Sequence, residues 1–565
     1  MRLRLFPLVA ACAMAVLLGA CASSQGIKPS GHMIDAGSLH AERSLAGAAL
    51  TRATWPRANW WTALGDPQLD ALIAEALKHN PDIAIASARA RKAAAKARIV
   101  DAGRKPGVKA SASISGAHLP STLVPAPLGG HFGWIKYGYL GFNWDLDLWG
   151  GKRAAWEAAV DQAHAAVVDT HAARLMVSVN VARAYAQLGY AFKQQAIARE
   201  ELKRARGAHK LTAQRVHAGI DSKLQLKRGD AEVALAREQL AKAGHQVDAA
   251  RVALSVLLGQ GPDRGLDIRR PQLLTPARVA VPANLPANLL GRRPDLVAAR
   301  WRVEAAGQGI KAAKARFLPN ISLGAMAGLV NKGGDTLFQL PARFFQIAPA
   351  ISLPIFDGGR LRANLSGTDA TYDLAVATYN KTLIGAINQV ANELNGLQSL
   401  KAQVAAQQQA LQAAREAWEL SEQRYKAGVG SYLEALNVRQ QLLKAEQAAA
   451  ALHARQVDLS IQLIHALGGG FHADVGAMAS GQPAVDAEAS AHAGSTQAIA
   501  ANLPVESTTD RATARNSGAA DIGVADPATT PDAAATDPRA ADTWTPAASH
   551  TITPHLLRSR VENHP

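Results

Sequence analysis

The chain has few cysteines, few aromatic residues and no long apolar run after its first 21 residues. Of its 565 residues two are cysteine and 5% are aromatic, although 48% are hydrophobic. Two cysteines cannot build a disulfide framework, and so few aromatic side chains are unusual for a thick globular core. No later stretch approaches the roughly 18 continuous apolar residues of a transmembrane helix. We therefore expect an extended, alanine-rich molecule in which any membrane span is a β-barrel.

Motifs of catalysis are also missing. The sequence has no Walker-type phosphate loop, no nucleophile elbow and no His-Glu-x-x-His metal helix. Its 17 histidines are scattered, and pairs such as His209 and His217 are interpreted as exposed helix positions rather than metal ligands. A secreted enzyme with a helical scaffold would need titratable residues clustered in a pocket, which the sequence does not offer. We therefore predict no enzymatic activity, no metal and no cofactor apart from a covalent lipid.

The N-terminus has the pattern of a secretory signal with a lipid-attachment site. Two arginines precede an apolar run from Leu5 to Leu18, which is too short to span a membrane. The sequence Leu-Gly-Ala-Cys that ends at Cys21 resembles a bacterial lipobox. We therefore predict a signal peptide over residues 1–20 and a lipidated segment over residues 21–65, with the lipid on Cys21. The alternative is an ordinary signal peptide that contains a cysteine.

Secretion also decides how the charge is interpreted. The formal net charge is +16 and the isoelectric point is about 9.9, values that fit nucleic-acid binding. A secreted chain does not meet nucleic acid, and its basic residues alternate with acidic ones along helical stretches, so we predict solvated helix faces. By resemblance to enteric lipoproteins, an aspartate after the lipidated cysteine would hold the anchor at the inner membrane, but Ala22 and Ser23 follow here. Delivery to the outer membrane is favoured.

The chain contains two copies of one unit. Residues 66–260 recur at residues 290–468 with an offset near 209. The octapeptide Arg215–Ser222 (RVHAGIDS) matches Arg424–Ser431 (RYKAGVGS), and a Gly-Gly-basic triplet occurs in both copies. We therefore predict two repeats with these bounds. Residues 471–565 are rich in Ala, Thr, Pro, Asp and Ser without periodicity, which predicts a disordered C-terminal tail.

Each repeat contains a very long helical stretch. The pattern predicts helices over about 151–217 and 359–426, each about 100 Å long. A seven-residue spacing of apolar residues is typical of a coiled coil. In the second copy these residues are Val376, Leu383, Val390, Leu397, Val404, Leu411, Trp418 and Tyr425. Each long helix turns back at a glycine, and Ser431 with Glu434 predicts a capping box that opens the second return helix. We predict one long coiled-coil α-hairpin per repeat.

Between the short and long helix of each repeat the period changes to alternation, which predicts a β-hairpin. In the first repeat an apolar strand face is opposed by Asn143, Asp145 and Asp147, which we predict to face a lumen. Such strands match a membrane barrel wall, although a half-buried soluble sheet has the same pattern. Four strands cannot close a barrel, and lipid does not tolerate an open sheet edge. We therefore predict a closed ring of identical chains, with twelve strands for three copies.

Together these features resemble the TolC/NodT-type outer-membrane factor family over about residues 50–470. The lipobox, the duplicated helix-hairpin unit, the Arg-Arg-Pro-Asp stretch at 292–295 and the Ala-Gly turns after an arginine carry the resemblance. It implies a mainly α fold with a membrane β-barrel portion: a TolC-like trimeric duct, built as a homotrimer with a twelve-helix periplasmic tunnel. It also implies a periplasmic adaptor protein and an inner-membrane pump, commonly of the resistance-nodulation-division (RND) class, as partners.

The resemblance further implies roles for the helical tips. In the family the adaptor docks on these tips, which here are Ala218, Gly219, Ile220, Ala427, Gly428 and Val429. Their glycines also serve as helix terminators, and the two roles are compatible. Some relatives narrow the tunnel mouth with two acidic positions one turn apart. The matching periplasmic-gate positions are Glu434 and Asn437, of which only the first is acidic. Three copies of Glu434 in one ring would favour cations in the lumen.

We therefore expect a passive, lipid-anchored outer-membrane channel of a tripartite efflux system, with transport energy supplied by the inner-membrane pump. The alternative is a periplasmic adaptor or another coiled-coil lipoprotein, which would share the anchor and the hairpins but lack duplicated strand pairs. Relatives export drugs, dyes, metals and small aromatic acids such as fusaric acid, and the resemblance favours the last class.

Overall fold

The computed structural model describes most of the chain between residues 23 and 473. The described residues are 23–40, 43, 50–51, 55–118, 120–122, 130–272, 274–276, 281–282, 289–332, 338 and 340–473. Cys21, the predicted signal peptide and all but the first three residues of the predicted tail lie outside the described residues.

Helices make up most of the described part of the chain. They are α1 (Pro67–His79), α2 (Pro81–Ala102), α3 (Gly151–His217), α4 (Lys223–Leu257), α5 (Pro294–Ala315), α6 (Arg360–Lys426) and α7 (Tyr432–Ala466). The strands are β1 (Leu50–Thr51), β2 (Gly107–His118), β3 (Phe132–Leu146), β4 (Val281–Pro282), β5 (Asn320–Lys332) and β6 (Arg343–Ser352). One order thus occurs twice: a short helix, two strands, a long helix and a return helix. The predicted mainly α fold with paired strands is confirmed.

The two long helices match their predicted spans within one residue. α3 and α6 each have 67 residues, about 100 Å of helix, and the return helices α4 and α7 each have 35. The predicted seam of α6 is buried at Val376, Leu383 and Val390, half-buried from Leu397 to Trp418 and buried again at Tyr425. Packing along this seam therefore stabilises the first half of the helix and its tip, as expected where tertiary contacts rather than propensity hold a helix.

The core lies where the short helices cross the long ones. In the first repeat Leu69 of α1 and Leu254 of α4 pack in one cluster with Val181 of α3. Tyr185 of α3 is fully buried in the same cluster, and its hydroxyl donates to Asp66 Oδ2 at 2.6 Å. Burial, together with the Asp66 carboxylate, raises the pKa of Tyr185. The hydroxyl thus remains protonated and ties α3 to the start of α1.

In both repeats, a polar side chain just before a short helix binds the end of the return helix. In the first repeat Asn80 Nδ2 donates to the carbonyl of Leu257, the last residue of α4, at 2.7 Å. In the second repeat Arg293 Nη1 donates to the carbonyl of Ala466, the last residue of α7, at 3.0 Å. Arg293 also pairs with Asp295 at 2.7 Å. Each bond satisfies a carbonyl that the end of a helix leaves unpaired. The Asn-Pro-Asp and Arg-Pro-Asp sequences therefore mark equivalent joints.

The large sheet has the strand order β2-β3-β5-β6, and all neighbours are antiparallel. A separate two-residue parallel pair joins β1 and β4. In the large sheet, Val108, Phe142, Ala325 and Ile347 lie opposite one another in one row across the four strands. Residues that face each other across a pair share one side of the sheet. The apolar faces of the four strands therefore combine on one side of the sheet, which Lys136 and Asn331 interrupt in a single row.

The N-terminal strap, residues 23–40, runs along α6. Ser30 Oγ donates to Asp373 Oδ2 at 2.7 Å, and the Ile34 N–H donates to Asn380 Oδ1 at 2.8 Å. The hydrogen bonds from the strap lower the pKa of the Asp373 carboxyl. Because these partners are two turns apart on the helix, the strap is fixed to α6 at successive points rather than at one end.

Candidate functional site

The polar side of the large sheet is the first part of the candidate site. Asn143 pairs with Gly324 and Asp145 pairs with Ser322 across β3 and β5, on the side opposite the apolar row. Lys152 Nζ lies 3.1 Å from Asp145 Oδ2. The other polar residues of β2 and β3 on this side include Lys109, Ser111, Ser113, Tyr137 and Tyr139. The structure thus brings two of the three predicted lumen-facing residues together on one polar surface.

The third residue, Asp147, has a different place. Strand β3 ends at Leu146, so the prediction of Asp147 as a strand residue is wrong. Its carboxylate accepts hydrogen bonds from the backbone N–H of Lys152 at 2.9 Å and of Arg153 at 2.6 Å. Asp357 makes the same kind of bonds at the start of α6. An aspartate shortly before Gly-Gly in both repeats was the sequence signal for a helix-capping role.

The tips of the long helices have the same turn in both repeats. Gly219 and Gly428 take left-handed conformations with φ of 74° and 80°. The Ile220 N–H donates to the Arg215 carbonyl at 2.8 Å, and the corresponding bond of the second tip forms at 3.1 Å. These bonds define a Schellman turn, which satisfies the last helical carbonyls. Ile220 and Val429 are 63% and 68% exposed, so each tip presents an apolar side chain to solvent.

The caps of the return helices differ between the repeats. At the first tip Ser222 and Gln225 form a complete capping box, which the sequence reasoning missed. At the second tip Ser431 Oγ accepts from the Glu434 N–H at 3.1 Å, while the reciprocal bond does not form in the described residues. The predicted capping box at Ser431 is therefore only half present. Glu434 and Asn437 are both exposed, one turn apart on α7.

A network near the tips joins the two hairpins. The Tyr425 hydroxyl, at the end of α6, donates to Asp221 Oδ2 at 2.9 Å and lies 3.0 Å from Thr212 Oγ1. Arg215 pairs with the same Asp221 at 2.9 Å, and its guanidinium lies 4.9 Å from the centre of the Tyr425 ring. Burial raises the pKa of Tyr425. The sequence contained one signal for this network: the first tip has Asp221 where the second has Gly430.

A buried ionic network ties the hairpins together further from the tips. The guanidinium of Arg439 on α7 lies 3.0 Å from Glu201 of α3 and 2.6 Å from Glu232 of α4. Arg204 of α3 pairs with Glu446 of α7 at 2.9 Å. The Arg439 side chain is only 3% exposed. Burial raises the pKa of Glu201, although both arginines oppose that shift. Removing one partner would leave an uncompensated buried charge, so the network fixes three helices in one arrangement.

The part of the chain that the structure describes has no helix both long and apolar enough to cross a membrane. The same residues contain no group of three or more His, Cys, Asp or Glu side chains arranged to hold a metal ion.

Comparisons with known proteins agree with this architecture. The chain matches the family described as outer membrane efflux protein over residues 72–260 and 285–469, more than half of its length. It is 38% identical over 366 residues to the fusaric acid resistance protein FusA of Burkholderia cepacia, covering 64% of this chain and 69% of that protein. It is 33% identical over 433 residues to the multidrug resistance outer membrane protein MdtP of Escherichia coli (strain K12), covering 75% of this chain and 88% of that protein.

A solved structure gives the same result. The crystal structure of the outer membrane protein VceC from Vibrio cholerae matches with a TM-score of 0.70 and 35% sequence identity, covering 74% of this chain and 100% of that chain. The chain therefore belongs to the outer membrane efflux protein family. It is a TolC-like channel component of the outer membrane rather than a periplasmic adaptor, the alternative that the sequence left open.

Proposed function

We propose that this chain forms, as a homotrimer, the outer-membrane exit duct of a tripartite efflux system. The main support is the large sheet, because it combines one largely apolar face with two edge strands, β2 and β6, that lack an outer neighbour within the described residues. Unpaired backbone groups are not tolerated in hydrocarbon. Pairing β6 of each copy with β2 of the next removes every edge, and twelve strands from three copies enclose a water-filled lumen.

In this trimer the apolar face contacts lipid and the polar face lines the lumen. Strands β2, β3, β5 and β6 have 12, 15, 13 and 10 residues, enough for the roughly 9 to 11 that a tilted membrane strand needs. Asn143 and Asp145 then face the aqueous path, as an alternating barrel strand requires.

The helical hairpins form the periplasmic tunnel, and their tips receive a periplasmic adaptor. The exposed Ile220 and Val429 offer apolar contacts to a helical partner, next to the glycines of each turn. The adaptor joins the duct to an inner-membrane pump, for which we infer the RND class. The duct is then passive and not an enzyme, which agrees with a family of channels.

Cys21 carries the lipid anchor after removal of the signal peptide over residues 1–20. The strap supports this assignment, since Ser23 lies at the first turn of α6, where Arg362 Nη1 donates to its carbonyl at 2.6 Å. An anchored N-terminus at this position is close to the end of the sheet, as an outer-membrane lipid requires. The duct then sits in the outer membrane with its tunnel in the periplasm.

Glu434, with Asn437 one turn further on, lines the closed periplasmic mouth in this proposal. The support is their shared exposed face at the start of α7, directly after the second tip. The cargo class is small toxic compounds, either drugs or aromatic acids such as fusaric acid. The names of the relatives FusA and MdtP, which cite fusaric acid resistance and multidrug resistance, support this range.

The test uses the full-length protein extracted from outer membranes in detergent. We expect an unheated sample to migrate as a trimer on a denaturing gel, a heated sample to migrate as a monomer, and planar bilayers to show stepwise conductance. A water-soluble monomer without conductance would contradict the proposal. A gene deletion screened against fusaric acid and a drug panel then identifies the cargo.

A further inference from the structure

Basic residues mark every junction between the large sheet and the helices. The residues are Arg104 and Lys105 before β2, Lys152 and Arg153 after β3, Lys314 and Arg316 before β5, and Arg360 and Arg362 after β6. Carboxylates near these junctions are fewer: Asp101, Asp145, Asp147, Glu157 and Asp357. This end of the sheet therefore carries a net positive charge.

A cleft of about 470 Å³ opens where α3, α5 and α6 meet the sheet. Three cations and three apolar side chains are among its lining residues, namely Lys152, Arg316, Arg360, Trp149, Leu318 and Pro354. Asp147 also lines the cleft, but both of its oxygens accept backbone N–H groups at the start of α3. The cleft thus combines positive charge with an apolar wall.

Close contacts define the walls of this junction cleft. Gly151 lies so near α5 that an added methyl group would come within 2.6 Å of the Ala315 side chain. Trp149 Nε1 donates to the carbonyl of Pro319 at 2.6 Å, which joins the β3–α3 connection to the α5–β5 connection. Trp149 is nevertheless 51% exposed, and Phe356 on the β6–α6 connection is 88% exposed. Apolar surface therefore extends from the cleft to its surroundings.

Arg316 and Arg360 are the cations available to a ligand. The Arg360 side chain is 75% exposed and lies 3.9 Å from Asp357, whose two oxygens already accept N–H groups at the start of α6. Arg316 Nη1 donates one long hydrogen bond, 3.5 Å, to Asn364. Lys152, by contrast, already contacts Asp145 at 3.1 Å. Two guanidinium groups thus have donors left for an anion.

The start of the strap gives an independent measure of where this cleft lies. Arg362 lies two residues after Arg360 on α6, and its side chain donates a hydrogen bond to the carbonyl of Ser23 at 2.6 Å. Ser23 follows Cys21 by two residues, which span at most about 7 Å. A lipid on Cys21 therefore enters the membrane at about the level of the junction cleft. The strand ends and the lipid anchor therefore lie at the same height along α6, which corresponds to the level of the lipid headgroups.

We propose that the junction cleft binds the headgroup of an anionic phospholipid in the periplasm-facing leaflet of the outer membrane. Arg316 and Arg360 contact the phosphate, while Trp149 and Leu318 contact the glycerol and the first acyl carbons. The inference rests on the proposed function, since only a membrane-spanning sheet places the cleft at the headgroups. Tryptophan beside arginine is typical of that level, and clustered cations attract anionic headgroups. A free phosphate ion would leave the apolar wall exposed.

The test is lipid selectivity in reconstituted full-length trimers. Spin-labelled phosphatidylglycerol and phosphatidylethanolamine with identical acyl chains report, by electron paramagnetic resonance, which lipid is enriched at the protein. We expect phosphatidylglycerol to be enriched about threefold or more around the wild type. The Arg316→Gln/Arg360→Gln variant should bring the ratio of the two lipids close to one, because it removes both guanidinium groups that have donors left for the headgroup.

The matched control is Arg206→Gln/Arg237→Gln, which removes two exposed arginines from the first hairpin. Arg206 lies 55 residues beyond the start of α3, about 80 Å along the helix, so this variant should keep the wild-type ratio. Conductance of the same preparations distinguishes a failure of the cleft assignment from a failure of the proposed function. Conducting trimers that show no preference for phosphatidylglycerol, or a preference equally lost in the control, would overturn the cleft assignment alone. Absence of both insertion and conductance in the wild type would overturn the proposed function, and this inference with it.

Discussion

The hydroxyl of Tyr425 connects the two hairpins close to their tips. Tyr425→Phe keeps the ring beside Arg215 but removes the bonds to Asp221 and Thr212. A buried hydrogen bond contributes about 1 kcal/mol, so the tips should separate more readily. We expect a higher mean conductance of reconstituted trimers. The matched control is Tyr432→Phe, since Tyr432 lies in the same cluster but its hydroxyl makes no hydrogen bond with the described residues. Equal conductance of both variants would contradict the role of the Tyr425 hydroxyl.

The gate assignment can be tested by removing a single charge, that of Glu434. Glu434→Gln removes the exposed carboxylate that the proposed ring of three copies would place at the tunnel mouth. We expect the cation-to-anion permeability ratio in planar bilayers to fall, because a ring of carboxylates favours cations. Asn437→Asp should raise the same ratio by adding a second ring one turn away. An unchanged ratio in Glu434→Gln removes the gate assignment.

Asp161 on α3 makes stability depend on pH. Burial, with Glu304 and Glu157 nearby, raises the pKa of Asp161 from 3.8 to about 6. The folded state therefore retains a proton that the unfolded chain releases, and stability falls as pH rises through that interval. Asp161→Asn should thus exceed the wild type in stability at pH 8 by about 1 kcal/mol, after allowing for solvent screening, and match it near pH 4. Thermal unfolding at both pH values measures this.

The exposed Asp248 is the control for this pH effect. Asp248 on α4 is 70% exposed and lies 3.9 Å from Arg251. As an exposed surface substitution, Asp248→Asn should therefore change the unfolding temperature little. A pH-independent gain in Asp161→Asn would show that its carboxylate is not disfavoured in the folded state.

At the scale of elements, the joint after α7 depends on a glycine. Gly468 has a φ of 89°, and a Cβ there would collide with the Arg292 carbonyl. Gly468→Ala should therefore lower the free energy of unfolding by about 1 to 3 kcal/mol. Gly367→Ala is the control, since a Cβ at that α6 position meets no atom within 4 Å, and it should stabilise by up to about 1 kcal/mol. Similar losses in both variants, measured by thermal unfolding, would contradict this reasoning.

The elements themselves were largely predictable, because their causes are local. The seven-residue spacing through Leu383 and the glycines at 219 and 428 predict helix spans and turns without any tertiary information. Contacts between distant residues were not predictable in this way. Tyr425 and Asp221 are 204 positions apart, and nothing in either local sequence specifies the other partner. Sequence periodicity thus predicts the hairpins but not the bonds that hold them together.

The error at Asp147 has a related physical cause. Alternation continues past the last ladder position of β3, so the sequence pattern alone extends the strand by one residue. Hydrogen bonding decides the boundary instead, because free N–H groups at the start of α3 bind the carboxylate. Ser222 was missed as a cap for a different reason, because Ser-x-x-Gln is itself a capping-box pattern that the sequence reasoning did not use.

At the scale of the whole molecule, the two sides of the sheet should respond differently to charge. Phe345 of β6 lies on the apolar side and is 85% exposed, whereas the neighbouring Gln346 faces the polar side. Phe345→Lys should cost about 2 to 4 kcal/mol in lipid and reduce the yield of trimers on unheated gels. Gln346→Lys should assemble normally and conduct, since its charge would face water. Equal trimer yields from the two variants would contradict the assignment of the lipid side.

The strap has a consequence for orientation. Because Ser30 and Ile34 are bonded to α6 at fixed points, an acylated N-terminus cannot slide along its own chain. In a threefold ring, three such attachment points at equal height define a plane. If each attachment point lies in the bilayer surface, the plane through the three points is parallel to the membrane. The long axis of the tunnel is then perpendicular to the membrane. Upright alignment toward the inner membrane would then precede, rather than follow, the arrival of any partner.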